Sequence, residues 1–258
     1  MKQNVIERNE LTSYLNQFLN IAEFSDYGPN GLQIEGKDTI QKMAFAVSAT
    51  RESVAKAVAE KADALVVHHG LFWNFHGPKA ITGPFAHRVK PLIQNEINLY
   101  GYHLPLDAHP EVGNAASLAR HLGLNSLSPF GDYKGSPTGV FAHLDKELSI
   151  DEFQKKLESI LKRKTLVSRA WNKTTIKSIG IITGGANSEW SRAARMGLDA
   201  YITGEMSEHD WNEARESNVT MFAGGHHATE QFGIQSLMKH LAEKFSIESI
   251  YIDSDNPA

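Results

Sequence analysis

Cysteine is absent from the 258 residues, which excludes disulfides, thiolate metal ligands and a cysteine nucleophile together. Any metal site must therefore be built from His, Asp, Glu and water. No apolar run approaches the ~20 residues that span a bilayer. Met1 to Asn20 interleaves charged with apolar positions, where a signal peptide would carry an unbroken apolar core. The expectation is a cytoplasmic protein without a membrane segment. An excess of positive charge is missing too: 26 Lys and Arg against 30 Asp and Glu leave a net charge of -4. With no basic block, electrostatic capture of nucleic acid is not expected, and DNA-associated work is the weakest of the function classes considered. The Gly-x-Ser-x-Gly elbow of acyl-transfer enzymes is also lacking.

What is present is the make-up of a globular α/β protein, 41% hydrophobic and 22% charged, long enough for one large domain or two ordinary lobes. The chain is organised around Leu65-Val66-Val67-His68-His69-Gly70. A β-branched run that meets two histidines and a glycine reads as a buried strand delivering imidazoles to a crevice at its C-terminal end. Side chains alternate along a strand, so His68 and His69 are expected to diverge, which suits two neighbouring ions better than one. The plainer alternative is one hydrogen-bonded strand-end histidine and one solvated histidine.

In chain order, Asn9 to Phe18 has the spacing of an amphipathic helix, followed by the turn-rich Asp26-Tyr27-Gly28-Pro29-Asn30-Gly31. The segment Gly31-Leu-Gln-Ile-Glu-Gly36-Lys37-Asp38 nearly matches a P-loop. Asp38 replaces the required hydroxyl and would repel phosphate, so that reading is rejected. Strands are expected over Met43 to Val47, Ala64 to Val67 and Leu99 to Tyr102, with helices from Thr50 to Lys61 (Thr50 as N-cap), Phe85 to Asn95 and Ala115 to Leu122 (Asn114 as N-cap). Residues 126 to 175 read as a connector holding a strand, a helix after Ser149 and another strand. Further on, Ile179 to Thr183, Asp199 to Glu205 and Val219 to Ala223 repeat the strand series, with helices at Ser188 to Met196 and Ala228 to Lys244. In one half a strand ends in His103 with Asp107 four residues on; in the other it ends in His226 with Glu230 four residues on. The expected fold class is α/β, with two similar αβ lobes related by a pseudo-twofold axis and a metal site in the cleft between them. The first lobe is placed at 1–125, and connector plus second lobe at 126–258.

His226 and Glu230, at i and i+4 where a helix begins, fall on one face of its first turn. As an isolated motif this would more often be a cap and a surface pair; beside two strand-end histidines it becomes a ligand set. With His68, His69 and Asp107 it gives three imidazoles and two carboxylates, a first shell for two divalent ions if Glu230 bridges. Such ligands suit zinc, manganese, iron, cobalt or nickel, and not calcium. His103 is read first as a residue orienting a ligand, with ligation or proton shuttling as alternatives. Glu205 and His209 are candidates for base or substrate contacts, against a reading as capping and surface residues. His227 is expected to point elsewhere.

Asn30-Gly31-Leu32-Gln33, His68-His69-Gly70, His103 to Asp107, Thr203-Gly204-Glu205 and Gly225-His226-His227-Ala228-Thr229-Glu230 together resemble the NIF-three-like family, the GTP cyclohydrolase 1 type 2 homologues, over nearly the whole chain in order. The resemblance implies a two-lobed α/β fold, a dinuclear metal site on the same five residues, and a toroidal homohexamer. It also implies the compact form, since residues 126–175 are too few for the inserted domain of many relatives. The expected function is a dinuclear metal-dependent hydrolase of a nucleotide-like or phosphate-bearing small molecule, with ring-opening of GTP as one form of it. The alternative is a non-catalytic metal-binding, metal-handling or scaffold protein.

Overall fold

Short runs rich in Val, Ile, Phe and Tyr, punctuated by Gly, Asp and Asn, fold as the strands of two sheet-centred units. The computed structural model describes residues 4–258. Residues 1–3, the start of the stretch inspected for a signal-peptide core, lie outside the described residues. One unit comprises Met1–Leu106 with Ile234–Asp255, the other Asp107–Gly233 with Asn256–Ala258.

In the first unit three parallel strands, Lys42–Ser48, Ala64–His69 and Asn98–Gly101, form the middle of a sheet of five among the described residues. Glu248–Tyr251 adds in parallel on one side and Gly31–Ile34 antiparallel on the other. The false P-loop is therefore in part an edge strand. Leu65, Val66 and Val67 are each 0% exposed, as expected of a parallel strand covered on both faces. Thr50 caps the helix Arg51–Ala59: its hydroxyl accepts from Ser53 N–H at 3.1 Å while Ser53 Oγ accepts from Thr50 N–H at 2.9 Å. That helix buries Val54 and Ala57 against Ala44, Ala46, Leu65 and Val67.

The second unit repeats the plan. Parallel strands Thr175–Ile181, Ala200–Thr203 and Thr220–Ala223 are flanked by antiparallel Gly139–Ser149 on one side and Leu166–Ser168 on the other, with Ser128–Phe130 outermost. The helix Ile150–Leu161 begins at a capping box of Ser149 and Glu152 and buries Phe153, Leu157 and Leu161 beneath Ile176, Ile179, Ile202 and Phe222. In each unit the parallel strands end together, at Ser48, His69 and Gly101 in one and at Ile181, Thr203 and Ala223 in the other. Those strand ends are where open α/β sheets hold their ligands.

Two expectations change. Asn114 does not cap its helix: Gly113 takes the N-cap position of Asn114–His121, and Asn114 is wholly buried with its amide engaged elsewhere. The sequence alone puts a lobe boundary near residue 125. Ala115, Leu118, Ala119 and Leu122 nevertheless pack with Ala142, Leu144 and Phe153 in the second unit's core.

Candidate metal centre

The strand Ala64–His69 carries its histidines to the end of the first unit's sheet, and each is pinned by an oxygen of a neighbouring element. His68, 0% exposed, donates from Nδ1 to the Tyr102 carbonyl oxygen at 3.0 Å. His69 Nδ1 lies 2.9 Å from Ser48 Oγ on the adjacent strand. His103, at the start of the helix Leu104–Ala108, donates from Nδ1 to Asp26 Oδ1 at 2.7 Å. A carbonyl cannot donate, so the His68 proton sits on Nδ1 and the lone pair on Nε2. The Asp26 carboxylate selects the same tautomer for His103.

The rings do not diverge as strand alternation predicts. Ring centroids of His68 and His69 are 4.5 Å apart, of His68 and His103 5.0 Å, and of His69 and His103 5.7 Å. One ligand nitrogen from each lies within 4.8 Å of the others. The reason is anchorage: Tyr102 and Ser48 fix the two rings at the very end of the strand, just where Gly70 releases the chain from the pleat. A Cβ on Gly70 would fall 2.3 Å from Gln33 Nε2. Gln33 accepts from Leu71 N–H at 2.9 Å and donates to the Pro29 carbonyl at 2.8 Å, so it holds the turn after the histidines.

Asp26 is legible in the sequence only as part of a turn, yet it organises this corner. Its side chain is 2% exposed. It accepts from His103, from Leu104 N–H at 2.9 Å, from Asn30 Nδ2 at 2.8 Å and from Tyr27 N–H at 2.6 Å. Burial pushes its carboxyl up, but the hydrogen bond and charge of His103, helped by Asn30 and Tyr27, outweigh burial and hold it below its ordinary value.

The second unit collects Asp107, Glu205, His226 and Glu230. Glycines Gly224 and Gly225 break the strand Thr220–Ala223 and start the long helix His226–Phe245, so His226 and Glu230 share its first turn, with Nε2 3.1 Å from Oε2. Glu205 Oε1 lies 2.6 Å from His226 Nδ1. Burial alone would lower the His226 pKa, but Glu230 and then Glu205 outweigh it and raise it to about 9. Carboxylate oxygens of Asp107 and of Glu230, which is 3% exposed, lie within 4.8 Å of one another. Asp107 is steadied by Asn114 Nδ2 at 2.8 Å, whose own Oδ1 accepts from Gly233 N–H at 2.8 Å.

A glycine turn missed in the sequence makes room for Glu230. Gly184 has φ +69°, and a Cβ there would sit 2.1 Å from Glu230 Oε1 and 3.1 Å from His226 Nε2. Buried Thr229 accepts from Gly184 N–H at 3.1 Å and ties this turn to the helix start. The usable signal is Thr183-Gly184-Gly185 directly after a strand. His209 is elsewhere, its side chain 65% exposed and 3.5 Å from Asp210 of its own helix. Among the described residues His227 belongs to none of the ligand groups.

The donors fit divalent metal. In the first unit the imidazoles of His68, His69 and His103, each fixed through Nδ1, and in the second the imidazole of His226 with the carboxylates of Asp107 and Glu230, are each donors suited to borderline cations. Like charges that near one another, with Glu230 buried, are offset by a cation, a part that protonated His226 or a metal ion can fill.

Fold and donors define a mixed α/β protein with two principal sheets and His/carboxylate groups able to bind metal. The chain belongs to the Duf34/NIF3 (NGG1p interacting factor 3) family, whose model matches residues 6–257. It is 45% identical over 249 residues to a Pasteurella multocida protein named GTP cyclohydrolase 1 type 2 homolog, covering 96% of this chain and 98% of that one. The Escherichia coli K12 protein of the same name is 42% identical over 253 residues, covering 98% and 100%. Among solved structures, a Thermus thermophilus protein aligns with TM-score 0.89 at 33% identity, over 98% of this chain and 100% of that one. Another, described as protein ybgI of unknown function, aligns with TM-score 0.92 at 41% identity over 98% and 100%.

Proposed function

We propose that His68, His69, Asp107, His226 and Glu230 hold two divalent ions as one dinuclear centre, with Glu230 as the bridge. On this reading the protein is a hydrolase of a nucleotide-like or phosphate-bearing small molecule. The observation that carries it is the fixing of His68, His69 and His226 through Nδ1 by an oxygen partner, which leaves each Nε2 as the nitrogen to offer a cation. The names of the relatives add ring-opening of GTP as the candidate reaction.

Two ions held in this way would activate water and stabilise developing negative charge. The chain's own residues do the rest. Glu205, 49% exposed and bonded to His226, orients that imidazole and is the carboxylate accessible enough to accept a proton. His103, kept in one tautomer by Asp26, is the group to orient the cluster or to return a proton to the leaving atom. The assembly that goes with this reading is a homohexamer, checked by light scattering on the purified protein.

Elemental mass spectrometry of gently purified protein tests the centre, with an expected stoichiometry of about two ions per chain that falls in both His68→Ala and Glu230→Ala. Formate release from GTP tests the reaction, with Glu230→Ala as control. Full metal without formate would remove the cyclohydrolase form; absence of metal, even after reconstitution, would remove the hydrolase.

A further inference from the structure

The loop that follows the histidines, Leu71 to Lys79, carries Phe72, Trp73 and Phe75 and encloses a cavity of about 320 Å³ with Pro29 and Lys79 at its walls. We propose that this cavity, with Trp73 as its principal wall, is the subsite for a planar heteroaromatic ring of purine size in the ligand. The inference rests on the hydrolase reading, and deepens it by naming the wall on which the chain stacks the ring whose edge faces the histidines.

Three observations carry it. The first is orientation. The Trp73 indole lies nearly parallel to Phe75, with centroids 5.7 Å apart and 20° between planes, and stands edge-on to His103 at 5.1 Å and 90°. Its attitude is thus set by one of the three clustered histidines, while Phe75 backs the indole. The second is continuity. Pro29, Phe72 and Trp73 also line the narrow crevice that reaches His68 and His103, so a ring in the cavity has its inner edge toward those histidines and its substituents at the outer rim. The third is exposure: Phe72, which lines both the cavity and the crevice, is 37% exposed beside Trp73, a continuous apolar surface that a flat ring would cover.

Size and charge choose the class. A volume near the lower end of the ~300–1,000 Å³ of small-molecule sites takes a bicyclic ring and leaves ribose and phosphate outside. Lys79, whose Nζ lies 4.7 Å over the Phe85 ring, and His76 supply positive or hydrogen-bonding groups at the rim for such an anionic tail. Base-on-aromatic stacking tolerates many ring types because each presents a π face, which agrees with a wall built from side chains with few polar atoms.

Calorimetric titration of the full-length, metal-loaded protein with GMP, CMP and ribose 5-phosphate tests the proposal. GMP is expected to bind more tightly than CMP, and CMP more tightly than ribose 5-phosphate. Trp73→Ala should weaken GMP by about tenfold or more, while Trp73→Phe stays within about threefold of wild type and ribose 5-phosphate is unmoved. Phe72→Ala, whose ring packs edge-on against Phe85 and lines the cavity, should weaken GMP in the same direction and guards against a Trp73→Ala protein that has lost its metal. Equal affinity for GMP and ribose 5-phosphate, or unchanged GMP affinity in both alanine variants, would overturn the subsite. So would loss of self-association in Phe72→Ala with ring binding intact, since a second copy would then be what covers the loop. GMP binding through Trp73 without turnover of any nucleotide would leave the subsite standing and remove the hydrolase. Turnover with no preference for the ring would do the reverse.

Discussion

At the scale of single residues, the cluster depends on partners that ligate nothing. Asp26 never faces the group of ligand nitrogens, but it sets the tautomer and tilt of His103 and ties Leu104, Asn30 and Tyr27 to one point. Asp26→Asn keeps the shape and removes the charge. The expected outcome is a metal affinity weaker by about 10- to 100-fold in chelator competition and a lower melting temperature, because the new amide NH2 meets two of the donors Asp26 accepts from; an unaltered affinity would mean that His103 stands outside the metal's surroundings. His68, His69, His226 and Glu230 can be read from sequence because their spacing lies within one strand end or one helix turn. Asp26 and Asn114 cannot, because each acts across folded distance: Asn114 looks like a helix cap by position and is instead a buried brace between Asp107 and Gly233. The divergence expected of His68 and His69 fails for a related reason. Alternation describes a strand's interior, whereas these rings answer to Tyr102 and Ser48 at its end.

Among the elements, the parallel strands and the helices after Thr50 and Ser149 are legible, since apolar runs and capping residues are local signals. The strand expected within the connector before Ser149 is Gly139–Ser149, but its place in the sheet is not legible: exposed charge interrupts its inward positions, and pairing with Thr175–Ile181 decides where it lies. The helix Ile150–Leu161 offers a clean electrostatic test. Near its C-terminal end Glu158 accepts from Thr165 N–H at 3.0 Å, Lys164 Nζ at 2.9 Å and Gln154 Nε2 at 3.1 Å, and these bonds, Thr165 first, hold its carboxyl down to about 2 from an ordinary 4.5. A carboxyl lowered by folding contributes stability above its unfolded value and loses it as the pH falls toward the folded one. Glu158→Gln should therefore melt below wild type at pH 7, and the gap should close as pH falls from about 4.5 to about 2. A gap independent of pH would mean that packing, not charge, is what the substitution disturbs. At the other end of the same helix, Ser149→Ala should cost about 0.5–2 kcal/mol in chemical denaturation.

For the molecule as a whole, ligands borrowed from both sequence halves make metal and stability one question under the proposed centre. Any ion that binds the folded chain and not the unfolded one raises the melting temperature, by an amount that grows with the logarithm of its free concentration over its Kd. Chelation should lower the melting temperature of wild type and leave His68→Ala nearly unmoved; equal shifts in the two would separate metal from these residues. Core packing sets the scale of comparison: Phe153, wholly buried in the second unit, should cost about 3–5 kcal/mol as Phe153→Ala, enough to be seen in a urea melt.

The first unit takes its edge strand Glu248–Tyr251, and Ile250 and Ile252 of its core, from the far end of the chain, whereas the second draws almost entirely on the unbroken run Asp107–Gly233. A ribosome therefore releases the segment up to Leu106 long before it makes the strand that covers the free side of Lys42–Ser48. The unit encoded later closes earlier, and an apolar sheet edge waits in the open through most of translation. That interval, and not the finished protein, is where this chain runs its greatest risk of aggregation and has most use for a chaperone.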